Sequence, residues 1–299
     1  MSGWLAIRER SLWNLIHAND RPPKAHGDEP PRSGPSAPRV DWDRYHELEA
    51  LQRSGRPAEA LDGFQGLLDA APAPREQAAI LVGMAACLVN LGRWAEAREA
   101  ASRALVLPDK RDEELGWALL FNAGLETAAG NWSAALAHLD RLESEFHDLL
   151  NLPENRDSLE TAERRRGIAL CRLGRYAEAL PLLERAAALD EEKPMVLYHL
   201  GRCCYRLGKL VEAGEHLRAA LTFDDLSPGI RADAHYTLGL TYRWRGQAAR
   251  ALEQFLWCLE NDKKPTISRR PVLTGIVDAY KALGQDDEAA RYSEMLQKE

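Results

Sequence analysis

Residues 194–224, PMVLYHLGRCCYRLGKLVEAGEHLRAALTFD, read as two short amphipathic helices hinged at Gly208. Leu197, Leu200, Gly201 and Cys204 before the hinge, and Ala213 and Leu217 after it, fall at helical spacing. The hinge is not unique. A glycine followed five residues later by alanine occurs at Gly55 and Ala60, Gly92 and Ala97, Gly130 and Ala135, Gly174 and Ala179, Gly208 and Ala213, Gly246 and Ala251, and Gly284 and Ala289. Four residues beyond each alanine stand Phe64, Ala101, Leu139, Leu183, Leu217, Phe255 and Ser293, and Trp94, Trp132 and Tyr176 follow three of the glycines by two residues. A glycine suits a helix end where the backbone turns through positive φ, and an alanine lets neighbouring helices approach. The chain is therefore expected to be an array of helix pairs.

Successive hinge glycines are 37, 38, 44, 34, 38 and 38 residues apart. Steps longer than the shortest by about one helical turn lengthen a helix without rotating its apolar stripe far off its face. The 44-residue step contains FHDLLNLPENRDSLET, residues 146–161, where Pro153 and Asn155 suggest a longer connection. One such pair orders more chain than its few buried side chains offset, so stacking on neighbours supplies the rest. Leu48 takes the place of the helix-packing glycine in the first pair, and Ser293 replaces the usual bulky residue in the last, as end units would. The final helix is expected to fray after Asp286.

Leu197, Leu200, Gly201 and Cys204, with Ala213 and Leu217, resemble the consensus W-x2-L-G-x2-Y followed by A-x3-F of tetratricopeptide repeat (TPR) proteins. The resemblance implies an all-α fold, a right-handed superhelical α-solenoid of about seven TPR-like helix pairs over residues 41–299. It also implies a concave groove lined by the first helix of each pair. In the second and third pairs the groove positions carry an apolar set, Val82, Ala86, Val89, Asn90, Trp117, Leu120, Gly124 and Thr127. In the fourth to sixth they carry Arg164, Ile168, Arg172, Tyr198, Arg202, Tyr205, Arg206, Tyr236, Leu240, Arg243 and Trp244.

Those arginines read either as a solvated face with local ion pairs or as an anion-accepting, aromatic-stacking groove. No acidic residue occurs from Pro194 to Val211 or from Ala234 to Leu252, so partners within the same helix are missing and the groove reading is favoured. Some TPR domains clamp a partner's terminal carboxylate with Lys, Asn and Arg. Arg164 could stand for that lysine, but Ile168 occupies the asparagine's place.

Residues 1–19 form a separate expectation: a helix over residues 4–18 with Trp4, Leu5, Leu12, Leu15 and Ile16 on its apolar side and Trp13 and Ile7 at the edges of that side, for partner recognition or anchoring through Trp4, Leu5, Leu12, Trp13 and Ile16. Six prolines make residues 20–40 an extended, flexible linker. With 39 Lys and Arg against 46 Asp and Glu, the net charge of −7 argues against duplex nucleic acid, whose affinity comes from basic surface. The five cysteines contain no CxxC pair and read as small core residues suited to a reducing compartment. No apolar run could span a bilayer, and Arg8, Glu9 and Arg10 interrupt where a signal peptide needs its apolar core, so a cytoplasmic location is expected.

GRCCYRLGK is not a phosphate loop, because six residues separate its glycines and Leu210 replaces the magnesium-binding hydroxyl. No catalytic or metal-ligand motif is present, and neither cofactor nor metal is expected. The expected function is a non-enzymatic adaptor or assembly factor. It would bind a peptide or helix of a partner protein, a segment with acidic and aromatic or apolar residues, in the groove. Two alternatives are a structural subunit of a larger complex anchored through its N-terminal helix and, less favoured, an RNA-binding helical repeat. Membrane contact is not expected beyond residues 4–18.

Overall fold

The computed structural model describes residues 41–70, 74–107, 112–150, 156–188, 193–261 and 267–299. The helix expected over residues 4–18 and the linker of residues 20–40 lie outside the described residues. The described residues form fourteen α-helices and no strand. They pair as α1 (Trp42–Arg53) with α2 (Pro57–Asp69), α3 (Pro74–Asn90) with α4 (Trp94–Val106), and α5 (Asp112–Ala129) with α6 (Trp132–Leu150). The remaining pairs are α7 (Arg156–Arg172) with α8 (Tyr176–Ala188), α9 (Lys193–Arg206) with α10 (Leu210–Leu221), α11 (Pro228–Trp244) with α12 (Ala248–Asn261), and α13 (Arg269–Ala282) with α14 (Asp286–Gln297). The fold is an all-α solenoid of helix pairs.

Every pair closes in the same way. The seven hinge glycines have φ between +70° and +83°. At Gly208 the amide donates to Tyr205 O at 3.1 Å, and the following Lys209 amide donates to Cys204 O at 2.8 Å. This satisfies carbonyls that the end of α9 would otherwise leave open. Lys209 O then accepts from the Ala213 amide at 3.0 Å, so one residue ends α9 and begins α10. A side chain on Gly208 would cost roughly 1–2 kcal/mol in that conformation.

The chain divides into two compact units between Arg165 and Arg166. In the first, Leu48, Phe64, Ile80, Leu81, Ala101 and Phe121 belong to one buried cluster. In the second, Leu183, Leu200, Leu217, Phe255 and Leu273 are fully buried. Close approach in both units relies on glycine facing bulk. A Cβ on Gly201 would lie 2.5 Å from Leu217 Cγ, which is inside contact distance. The Phe255 ring sits between Gly239 of its own pair and Gly275 of the next, each with an imagined Cβ at 2.7 Å. Phe64 likewise uses Gly83 of the following pair, at 2.8 Å. Leu48 fits because the glycine has moved across the interface: a Cβ on Gly63 would lie 2.2 Å from Leu48 Cδ2.

Two expectations are corrected. The long step over residues 146–161 is taken up largely by helix, because α6 continues to Leu150, with Phe146 at φ −127° marking a kink, and α7 begins at Arg156. α14 does not fray after Asp286 but runs to Gln297. Its Tyr292 ring stacks on Tyr280 of α13 at 5.5 Å, and Ser293 Oγ donates to Ala289 O at 2.7 Å.

Candidate partner-binding face

In the second unit the first helices of successive pairs carry a polar and aromatic cluster. Tyr198, in the middle of α9, is 1% exposed and donates its hydroxyl to the Asp233 carboxylate at the start of α11. Arg202, one turn along α9, donates from Nη1 to the Tyr198 hydroxyl at 3.3 Å, and its Nε lies 3.7 Å from Asp233 Oδ2. Its guanidinium is 5.7 Å from the Tyr198 ring centroid, and that of Arg172 on α7 is 6.0 Å from the same ring. Burial, reinforced by the Asp233 charge, holds the Tyr198 phenol well above its ordinary range. It therefore stays a neutral donor.

Beneath Tyr198, Cys171 Sγ donates to His199 O at 3.7 Å, and Cys171, Cys203 and His199 are all buried. A hydrogen bond from Cys203 pulls the Cys171 thiol down and pushes that of Cys203 up, while burial lowers His199 and keeps its ring neutral.

The outer part of the cluster is open to solvent. The Arg206 guanidinium lies over the Tyr176 ring at 5.0 Å with the side chain exposed. Tyr205 and Tyr236 are half-buried, and Tyr236 packs at 5.8 Å on Phe255. Arg243 Nη1 contacts Asp278 Oδ2 of α13 at 3.0 Å. Trp244, the last residue of α11, is 67% exposed.

The two groups of predicted groove residues thus fare differently. Arg172, Tyr205, Arg206, Tyr236, Arg243 and Trp244 lie at least partly open to solvent, whereas Tyr198 forms the floor beneath Arg172 and Arg202. In the first unit Val82, Val89 and Leu120 are buried and offer little surface, Arg164 is buried on α7, and the Trp117 side chain lies outside the described residues. Arg165 there donates to Leu120 O at 2.9 Å and lies over Gly124. That unit has an apolar cavity of about 220 Å³ lined by Trp94, Arg98, Leu125, Ala128 and Ala129. Arg98 is paired with Glu126 at 2.9 Å.

Sequence reasoning missed Asp233, Asp278 and Tyr176. Arg202 and Arg243 take no carboxylate from their own helix, as expected, but each meets one from the first helix of the next pair. Groove positions compared between adjacent pairs would have revealed both. Among the described residues, no set of three or more His, Cys, Asp or Glu could hold a metal, and no helix is long and apolar enough to cross a membrane.

A stack of glycine-hinged helix pairs with a polar and aromatic face on its first helices defines the class of helical-repeat proteins. Residues 47–112 and 164–229 match the family model described as tetratricopeptide repeat. A tetratricopeptide repeat protein from Parabacteroides merdae ATCC 43184 shares the fold with a TM-score of 0.51 and 16% identity, over 86% of this chain and 93% of that one. YrrB, described as a TPR protein with an unusual peptide-binding site, aligns with a TM-score of 0.49 and 20% identity over 68% of this chain and 95% of its own. MamA from Desulfovibrio magneticus RS-1 gives 0.48 and 19%, over 64% of this chain and 98% of that one. No curated protein matches the chain. Over those matched residues the chain is similar to tetratricopeptide repeats, and its helix-pair fold is the one these solved structures show.

Proposed function

We propose that this chain is a non-enzymatic adaptor or assembly factor whose second unit, residues 166–299, binds a segment of a partner protein on its first helices. Tetratricopeptide repeats are in general protein–protein interaction scaffolds. The observation that carries the reading is the open row of Arg172, Arg206 and Trp244 bordered by Tyr205 and Tyr236. Arginine supplies bidentate donors to carboxylates, and tyrosine and tryptophan supply rigid apolar area, the residue types that dominate binding energy at interfaces. A segment with acidic and aromatic or apolar residues fits that chemistry. Five free, buried thiols favour a reducing compartment, which supports the cytoplasm as the place of action.

The test is affinity capture with the full chain beside an Arg172→Glu/Arg206→Glu variant, with cross-linked peptides mapped by mass spectrometry. The expected result is a partner that the variant loses and whose cross-links fall on α9 and α11. An unchanged set of captured proteins, or cross-links confined to the first unit, would overturn the reading.

A further inference from the structure

Two first helices of the second unit meet around one ion pair. Arg202 on α9 lies 3.7 Å from Asp233 on α11, and the same carboxylate accepts from the Tyr198 hydroxyl. Tyr205 stands three residues beyond Arg202 and Tyr236 three beyond Asp233, so the two tyrosines flank that contact on helices packed together. Both are half-buried. Arg206 follows Tyr205 and ends α9, and Trp244, 67% exposed, ends α11.

What these four side chains offer is donors. Among the described residues the hydroxyls of Tyr205 and Tyr236 and the indole N–H of Trp244 have no hydrogen-bond partner, and Arg206 meets the Tyr176 ring but no carboxylate. The carboxylates beside them, Asp233 and Asp278, are already engaged by Tyr198, Arg202 and Arg243. A ligand for this face is therefore rich in acceptors and poor in donors. A helix uses its carbonyls along its own axis. An extended β segment carries an N–H for nearly every C=O, and this face has no free carboxylate to accept it. A polyproline II segment has no internal hydrogen bonds, so its carbonyls are free, and each proline removes one N–H. Its proline rings pack on aromatic side chains, and a neighbouring carboxylate takes an arginine.

The chain contains such a segment. Residues 28–38, DEPPRSGPSAP, lie outside the described residues and hold Asp28 and Glu29 directly before Pro30 and Pro31. Four residues in the polyproline II conformation span about 12 Å, and the helix from Tyr236 to Trp244 rises by about the same. We propose that the face of Tyr205, Arg206, Tyr236 and Trp244 takes residues 28–31 of a second copy of this chain in that conformation. Arg206 holds the acidic pair, the proline rings lie against the aromatic side chains, and the tyrosine hydroxyls and the Trp244 N–H donate to carbonyls. Segment and face are different surfaces, so the contact between copies is head-to-tail. The proposal rests on the reading that these first helices bind, and adds an occupant that the chain itself supplies.

The test is sedimentation velocity on the full chain from about 2 to about 200 µM, a range suited to a small, weak interface. The expected result is a mass that rises with concentration. Pro30→Ala/Pro31→Ala should weaken association about fivefold through lost preorganisation. Tyr205→Phe/Tyr236→Phe should weaken it about fivefold through two lost hydrogen bonds, and Trp244→Ala about tenfold. Circular dichroism checks that each variant folds. The Trp244→Ala and Pro30→Ala/Pro31→Ala proteins, each impaired in pairing with itself, should form a one-to-one complex when mixed, because one keeps the segment and the other keeps the face.

A chain that stays monomeric across the range would overturn the second copy as occupant, whether or not cross-links then join residues 20–40 to α9 or α11 of the same copy. Association that the proline substitutions leave unchanged, or a mixture that forms no complex, would overturn the segment. These failures are separate from failure of the partner-binding face, which is judged by what the Arg172→Glu/Arg206→Glu variant captures.

Discussion

The two units place different chemistry on the same scaffold. On α3 of the first unit the groove positions hold Val82, Ala86 and Val89, all buried. The corresponding places on α9 of the second hold Tyr198, Arg202 and Tyr205, graded from buried to half-buried. Hinge geometry is the same in both, with Gly92 at φ +74° and Gly208 at +77°. The contrast shows that hinge and interhelical contact constrain one set of helix positions and leave another free. The first unit fills its free positions with apolar side chains, and the second fills them with hydrogen-bonding and stacking groups.

The strongest way to break the comparison is through the phenylalanines that both units use alike. Phe64→Ala and Phe255→Ala should each cost about 3–5 kcal/mol, read as a fall in the denaturant midpoint. Phe255 has glycine on two sides and Phe64 has it on the following pair, so Phe255 should stand at the upper end. A loss under about 1 kcal/mol at either site would mean that the two units do not share a packing rule.

Alkaline titration sharpens the difference. Burial pushes the Cys87 thiol of the first unit up to about 12 from 9.0. Above pH 9 the unfolded chain releases this proton while the folded chain keeps it, so stability falls as pH rises from 9 to about 12. The loss is at most about 4 kcal/mol. Cys87→Ala should flatten that limb of the pH profile of the unfolding midpoint, and an unchanged profile would refute the assignment.

Smaller again is Gly201→Ala in α9. Its Cβ would meet Leu217, whose backbone nitrogen is 3.2 Å away and limits how far the side chain can yield. A loss of about 1–3 kcal/mol is expected by thermal unfolding. Leu217→Ala in the same chain should relieve the clash, giving a non-additive double-mutant cycle.

The fold was legible because its determinants lie within one repeat: Gly208, Ala213 and Leu217 are separated by five and four residues. The state of the arginines was not, because what neutralises them lies one repeat on. Asp233 follows Arg202 by 31 residues and Asp278 follows Arg243 by 35, and the helical wheel of a single helix contains neither. Nor could periodicity distinguish an open apolar groove from the core at Val82, Val89 and Leu120. All three fall where a groove position is expected, and neighbouring helices decide whether water reaches them.

The phenylalanines seated in glycines of the following pair carry one more consequence, for recombination. A repeat copied or transplanted as one helix pair, such as Trp42 to Asp69 or Pro228 to Asn261, would separate Phe64 from Gly83 and Phe255 from Gly275, leaving a ring against a Cβ at one junction and a void at the other. The transferable module is therefore offset from the repeat read in the sequence. It runs from the second helix of one pair through the first helix of the next.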